Sequence, residues 1–241
     1  MIPVRRLWCV LACLLPAAAQ NLYTDSFRDG LSQWTAELEK GGRVSARDGV
    51  LSIDVPGGCT LWFRPELTGP VAIRYQARMI RAGGANDRVS DLNAFWMATD
   101  ARSPDDFFGV KRTGTFAGYN QLRAYYVGQG GNSNTTTRFR RYMGDPVERP
   151  LLPEHDRKEP LLQPNVWEQV ELAAMGNRVR YYANGKLIFD FNDPAPYTRG
   201  RFGFRTTFSH VELRNFHIVR PVEARELGDL FRPRSASTGP R

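Results

Sequence analysis

The chain has 241 residues, of which 41% are hydrophobic, 12% aromatic and 24% charged, and its formal net charge is +8. This balance is typical of a globular protein. Part of the positive charge lies in residues 5–6 and in the basic segment 221–241, so the folded body is only mildly cationic. The charge therefore argues against a nucleic-acid partner, and it is compatible with an anionic glycan as well as with ordinary surface solubility.

The N-terminal residues predict export to the periplasm or the extracellular space. Two arginines at 5–6 precede an apolar run at 7–15, and the small residues 17–19 complete a signal peptide that would be cleaved before Gln20. The apolar run is too short to span a bilayer as a helix, so no membrane span is expected. A lipoprotein is the alternative, because residues 10–13 loosely resemble a lipobox.

Cysteine content predicts a domain without an internal disulfide. Once a leader of residues 1–19 is removed, Cys59 is the only cysteine left. A domain of this size can bury enough apolar surface to fold without cross-links. We therefore expect Cys59 to be a small core residue. Separately, we expect the protein to be a monomer.

Strands are predicted along almost the whole chain. Apolar and polar residues alternate with period two at 49–55 and 71–78. Further strands are predicted at 92–97, 123–127, 138–142, 167–174, 179–182, 187–191, 200–206 and 210–219. Asn184-Gly185 predicts a tight hairpin turn. Short strands without helical spacers predict one all-β domain at 20–220, a two-sheet antiparallel β-sandwich, followed by a solvated tail at 221–241.

Two parts of the chain carry a resemblance to known families. The closing segments 167–172, 177–186, 200–205 and 211–218, together with the opening segment 25–34, resemble the strands of concanavalin A-like jelly rolls. That superfamily includes laminarinases, lectins, and alginate and glucuronan lyases. The segments 84–97, 125–132, 136–142 and 154–156 are similar to an uncharacterised secreted bacterial family found among polysaccharide-degrading proteins. The resemblance implies a jelly-roll fold and a carbohydrate ligand, but the superfold hosts enzymes and binders alike.

One predicted strand presents a polar face. Asp91, Asn93 and Phe95 share one side, while Leu92, Ala94 and Trp96 take the other. Laminarinase-like members carry a Glu-x-Asp-x-x-Glu pattern on such a strand, and here Asn93 and Trp96 replace two of its carboxylates. A retaining glycosidase needs a second carboxylate about 5 Å away, which Asp87, Glu154 or Asp156 would have to supply.

Uronate lyase chemistry is the second possibility, because its required side chains are abundant. It needs an acid/base group and an arginine or amide that neutralises the uronate carboxylate. The catalytic candidates are Asp87, Asp91, Tyr126, His155 and His210. The substrate-binding candidates are Arg88, Asn93, Tyr119, Asn132, Asn134, Arg138, Arg140 and Arg205. Arg138 and Arg140 share a strand face, and we expect them to contact an anionic sugar.

Structural roles are the alternatives for several of these residues. Arg138 and Arg140 would then form a solvated ladder, Asp87, Arg88 and Asp91 would be an ion pair beside a turn, and one ring of Tyr125-Tyr126 would be core. No cofactor is predicted, although loop carbonyls and aspartates could hold a structural calcium ion. Three functions stay open: an enzyme that cleaves an acidic saccharide, a glycan-binding protein, and a structural envelope protein whose concave face is filled by aromatic side chains.

Overall fold

The computed structural model describes residues 19–147 and 151–221, which form fourteen strands and two single helical turns. The strands are β1 Gln20–Asp25, β2 Trp34–Leu38, β3 Arg43–Arg47, β4 Val50–Phe63, β5 Leu67–Thr68, β6 Val71–Met79, β7 Leu92–Asp100, β8 Leu122–Gly130, β9 Thr136–Met143, β10 Leu151–Arg157, β11 Glu168–Met175, β12 Arg178–Ala183, β13 Lys186–Asn192 and β14 Arg199–Arg220. The helical turns are Phe116–Tyr119 and Gly131–Asn134. The predicted all-β antiparallel sandwich is confirmed, whereas the predicted leader cleavage, lipobox and tail fall almost wholly outside the described residues.

Two long strands are shared between two sheets. The first part of β14 pairs with the last part of β4. On its other side, this part of β14 pairs with β7, and this part of β4 pairs with β2. The remaining parts of β14 and β4 also pair with each other. There β14 pairs in addition with β6 and β1, and β4 pairs with β3. The front sheet therefore has the order β10-β9-β8-β7-β14-β4-β2, and the back sheet has the order β13-β12-β11-β6-β14-β4-β3, with β1 beside the end of β14.

A β-bulge lets β14 pass from one sheet to the other. The pairing of β14 with β4 shifts register between Thr207 and Ser209, so Phe208 is left out of the ladder. Separate strands are predicted at 200–206 and 210–219, and this prediction is wrong because a bulge interrupts the alternation without ending the strand. The predicted Asn184-Gly185 hairpin is confirmed, since both residues have positive φ, 52° and 74°, as a type I′ turn requires.

The main core lies between the two sheets. Leu92, Ala94 and Trp96 point into it, as the alternation predicts, and Trp34 stacks there on Phe204 with ring centroids 5.2 Å apart. Cys59 is buried in the same core as a free thiol. Burial raises the pKa of Cys59 to about 12, so its thiol is not a nucleophile at neutral pH.

A second apolar cluster lies on the outer face of the front sheet, under the segment between β7 and β8. It contains Trp62, Phe95, Phe107, Tyr119 and Tyr142. Below the same segment a buried ion cluster joins the Arg112 guanidinium to Glu37 at 2.9 Å and to Asp100 at 2.9 Å. Aromatic side chains therefore fill one half of the outer face, and the open half lies over β7, β8 and β9. Within residues 19–147 and 151–221, no helix has the length and hydropathy needed to cross a membrane.

Candidate functional site

The open half of the front sheet contains a pocket of about 370 Å³. The residues that line it come from β7, β8, β9, β14 and the neighbouring loops: Glu39, Asp91, Asn93, Phe116, Tyr126, Gly128, Gly131, Asn132, Thr136, Arg138, Arg140, Arg205 and Thr207. Seven of them are predicted site residues, namely Asp91, Asn93, Tyr126, Asn132, Arg138, Arg140 and Arg205. We call this cavity the arginine pocket.

The floor of the arginine pocket is one row of cross-strand neighbours. Arg205 on β14 pairs with Asn93 on β7, Asn93 with Gly128 on β8, and Gly128 with Arg138 on β9. Because Gly128 has no side chain, it leaves a gap in this row. A Cβ added at Gly128 would lie 3.1 Å from Asn93 Oδ1 and 3.1 Å from Tyr126 Oη, so both oxygens border the gap.

Asn93 is the least satisfied polar group of the pocket. Its side chain is 4% exposed, and its Oδ1 has no hydrogen-bond partner within the described residues. Its Nδ2 makes only a long contact of 3.5 Å with Asp91 Oδ1. A buried acceptor without a partner is costly, so Asn93 Oδ1 is suited to accept a hydrogen bond from a ligand hydroxyl.

Three guanidinium groups surround this floor. Arg205 is buried, and its Nη1 donates to Thr60 Oγ1 at 2.8 Å and to the Gly114 carbonyl at 3.1 Å. Arg138 donates to both carboxylate oxygens of Asp156, at 2.6 and 3.2 Å. Arg140 lies at the same face as Arg138, while Phe139 between them is buried in the main core. Such fixed, planar donors are suited to bind a carboxylate.

Tyr126 is the acid/base candidate that the structure brings into the pocket. Its ring packs 4.8 Å from Phe95 and its side chain is 6% exposed. Burial raises the pKa of Tyr126 above its ordinary value, and the nearby Arg205 and Arg140 offset only part of this effect. The phenol is therefore protonated at neutral pH.

Two carboxylates also line the pocket. The Asp91 carboxylate is held by Arg88 Nη2 at 2.6 Å and by Ser90 Oγ at 2.7 Å, so the predicted alternative of an Asp91–Arg88 ion pair is present. Glu39 is exposed at the rim, and its Oε2 accepts a hydrogen bond from the Gly58 N–H at 2.8 Å. Sequence reasoning did not find Glu39, because no pattern around it indicates that the end of β2 reaches the pocket. Gly128 carried a signal, since a glycine inside a strand often marks a close approach.

Six predicted residues do not line the pocket, namely Asp87, Arg88, Tyr119, Asn134, His155 and His210. His155 belongs to strand β10, and it packs between the sheets with its ring 5.4 Å from both Phe139 and Phe189. Tyr119 is buried below Arg205 and donates to Glu37 Oε2 at 2.7 Å. The Asn134 amide is bound on both sides by the backbone of Leu162. The side chain of Glu154 falls outside the described part of the chain.

Asp87 and His210 form a separate chain of hydrogen bonds with Ser52. His210 Nε2 lies 3.1 Å from Ser52 Oγ, and His210 Nδ1 lies 3.2 Å from Asp87 Oδ1. This order resembles a serine hydrolase triad. Ser52, however, lies in the middle of a strand paired on both sides, and the carboxylates of Asp54 and Glu212 are its neighbours in the sheet, so an oxyanion would be unfavourable there.

The described residues contain no group of three or more His, Cys, Asp or Glu side chains that could hold a metal ion. A structural calcium ion, which the sequence leaves possible, would therefore need loop carbonyls among its ligands.

The fold is similar to those of several solved structures. A protein of unknown function with a galectin-like fold from Bacillus subtilis aligns with a TM-score of 0.66 and 20% identity, covering 84% of this chain and 98% of that chain. An endo-β-1,3-glucanase from Pyrococcus furiosus aligns with a TM-score of 0.57 and 8% identity, covering 86% of this chain and 96% of that one. The carbohydrate-binding module CBM66 from Bacillus subtilis aligns with a TM-score of 0.53 and 12% identity, covering 78% of this chain and 96% of that chain. These likenesses confirm the jelly-roll fold.

At the level of sequence, no curated protein is matched. A family model described as a domain of unknown function, DUF6250, matches residues 53–216, which include β7, β8, β9 and β14 and so nearly all of the arginine pocket. This match spans more than half of the chain, and the chain therefore belongs to the DUF6250 family.

Proposed function

We propose that this protein binds a uronate-containing saccharide in the arginine pocket and cleaves it by β-elimination. The observation that carries the proposal is the gap at Gly128, which is bordered by Tyr126 Oη and Asn93 Oδ1 and surrounded by Arg138, Arg140 and Arg205. An arginine that pairs with the uronate carboxylate stabilises the negative charge that develops when the adjacent C5 proton leaves. Glucanases and a carbohydrate-binding module are among the proteins with a similar fold, which supports a saccharide as the ligand.

The proposed elimination uses two groups of the pocket. Among the lining carboxylates, Asp91 is already held by Arg88 and Ser90, so we assign the base to Glu39. Glu39 takes the C5 proton, the C–H electrons form the C4–C5 double bond, and the C4–O4 bond breaks. Tyr126, kept protonated by its raised pKa, gives its proton to the leaving oxygen, and the cycle closes when Glu39 releases the C5 proton to water and Tyr126 regains a proton from water.

The test is incubation of the purified protein with pectic, alginate and glucuronan polymers while absorbance is followed at the unsaturated-uronate band. We expect new absorbance in the wild-type protein and a loss of about 10²–10⁴-fold in rate for both Tyr126→Phe and Glu39→Gln. Arg205→Lys is expected to weaken binding, because a lysine cannot pair with a carboxylate through two parallel hydrogen bonds. Arg47→Ala is the control, since Arg47 is exposed on the back sheet.

Other outcomes would point to different functions. Reducing ends without new absorbance would indicate hydrolysis by Asp91 and Glu39. Binding without any product would indicate a glycan-binding protein, a second candidate that the tight hold of Arg88 on Asp91 favours. No binding of any of the three polymers would show that the proposal is wrong.

We also propose that the protein acts outside the cytoplasm, as the sequence of residues 1–19 predicts. Large acidic polysaccharides occur outside the cell, so an exported location supports the proposed substrate.

A further inference from the structure

A second depression of about 450 Å³ lies beside the arginine pocket. Three pairs of adjacent or bonded residues connect the two. Thr207 lines the first and Phe208 the second, Asn132 lines the first and Ser133 the second, and Asp91 of the first is bound by Arg88 of the second at 2.6 Å. The two depressions therefore border each other, and we call the pair the cleft.

Phe208 is an unusual residue for its position in this cleft. It is 45% exposed and has a φ of +43°, at the bulge where β14 changes sheets. Phe208 lies opposite Pro56 and Gly57 of β4, which carries the extra residue of the bulge, and glycine or asparagine would adopt the positive φ more easily than phenylalanine. An exposed aromatic ring in a strained conformation indicates selection for what the ring contacts.

The backbone around Phe208 is held in place. Arg88 Nε donates to the Phe208 carbonyl at 2.9 Å, and Arg88 Nη2 donates to the Thr207 carbonyl at 2.6 Å. The Arg88 guanidinium carbon lies 5.6 Å from the centre of the Phe208 ring. The ring is thus presented in a fixed position beside a positive charge, and exposed Arg81 adds a second positive charge to the same depression.

We propose that the cleft binds at least two consecutive uronate residues and that Phe208 stacks against the second sugar ring. This inference rests on the proposed function and extends it from a single pocket to an oligomeric ligand. An aromatic face matches the C–H face of a sugar ring, and Arg81 and Arg88 complement the carboxylate of a second uronate. A neutral glucan would bring no negative charge to Arg81, which is exposed in this depression.

The experiment measures affinities by calorimetry for galacturonic, glucuronic and mannuronic acids and for their oligomers of two to five residues. For the series that binds, we expect the dimer or trimer to bind at least tenfold more tightly than the monomer. Phe208→Ala should remove this gain and leave the affinity for the monomer unchanged. Phe108→Ala is the matched control, because Phe108 is 36% exposed and lines a different depression, so it should change neither affinity.

A second variant separates the loss of the aromatic ring from a loss of folding. Phe208→Asn keeps a residue that tolerates positive φ, so it should fold at least as stably as the wild type and show the same loss of oligomer affinity. Equal affinities for monomer and oligomer, or oligomer binding that Phe208→Ala and Phe208→Asn leave intact, would overturn the inference while the proposed function stands. Failure of the wild type to bind any of these sugars would overturn both.

Discussion

Single residues decide the character of the arginine pocket. Its floor is a row of four cross-strand neighbours with an arginine at each end, Arg205 and Arg138. Between them lie the short amide of Asn93 and Gly128, which has no side chain. A larger residue in place of Gly128 would meet the Tyr126 hydroxyl and close the gap. The pocket exists because one position of the row has no side chain.

Asn93→Leu tests whether the unpartnered amide belongs to the ligand. A buried acceptor without a partner costs about 1–3 kcal/mol, so an apolar residue of similar size should leave the thermal midpoint unchanged or raise it by roughly 2–4 °C per kcal/mol. Saccharide affinity should fall at least tenfold, because the acceptor is lost. Calorimetry and thermal unfolding measure the two effects.

Asn120→Leu is the control for this change, because Asn120 Oδ1 is also buried without a partner among the described residues but lies outside the pocket. It should leave affinity unaltered. If Asn93→Leu bound saccharide as tightly as the wild type and unfolded at a lower temperature, Asn93 would be a structural residue.

At the scale of elements, the loop between β6 and β7 connects the back sheet to the pocket. Asp87 Oδ2 accepts hydrogen bonds from the backbone N–H groups of Ala82 and Gly84, at 2.6 and 2.8 Å, and Asp87 Oδ1 faces His210. The next residue, Arg88, holds both Asp91 and the bulge of β14. The two predicted catalytic residues Asp87 and His210 therefore serve to anchor the loop that carries Arg88.

This anchoring should depend on pH. The Ala82 N–H, followed by Gly84 and His210, lowers the pKa of Asp87 in the folded protein. Because the folded pKa is below the unfolded one, the contribution of Asp87 is present above about pH 4 and is lost as the pH falls through the folded pKa. We expect hydrogen-exchange protection of the Ala82 and Gly84 amides to fall between pH 5 and pH 2.

Asp87→Asn should remove the same protection at every pH, whereas Asp48→Asn, at an exposed turn on the back sheet, should leave it intact. Protection of these amides that stayed constant down to pH 2 would contradict the assigned role of the Asp87 carboxylate.

At the scale of the whole molecule, the predicted export would place the domain outside the cytoplasm. The sequence predicts cleavage before Gln20, which is also the first residue of β1 and pairs with Arg220 of β14. We expect the intact mass and N-terminal sequence of the protein recovered from outside the cytoplasm to begin at Gln20. A diacylated N-terminal Cys13 would indicate the lipoprotein alternative instead, and a retained Met1 would show that the export prediction is wrong.

The sequence by itself determined what depends on neighbours along the chain. Period-two alternation predicts most strands, because successive side chains of a strand must face opposite sides. It also predicts that Arg138 and Arg140 share a face opposite Phe139, and the Asn184-Gly185 dipeptide predicts its hairpin turn. These features need no knowledge of which strands meet.

Only the tertiary structure decided which strands are adjacent. Arg205 and Asn93 become neighbours because β14 inserts between β7 and β4, a pairing between distant segments that alternation does not encode. The same long-range pairing brings Glu39 to the pocket and buries His155 between the sheets. It also leaves Phe208 outside the ladder, because β4 carries an extra residue opposite Phe208 where the two strands cross between the sheets.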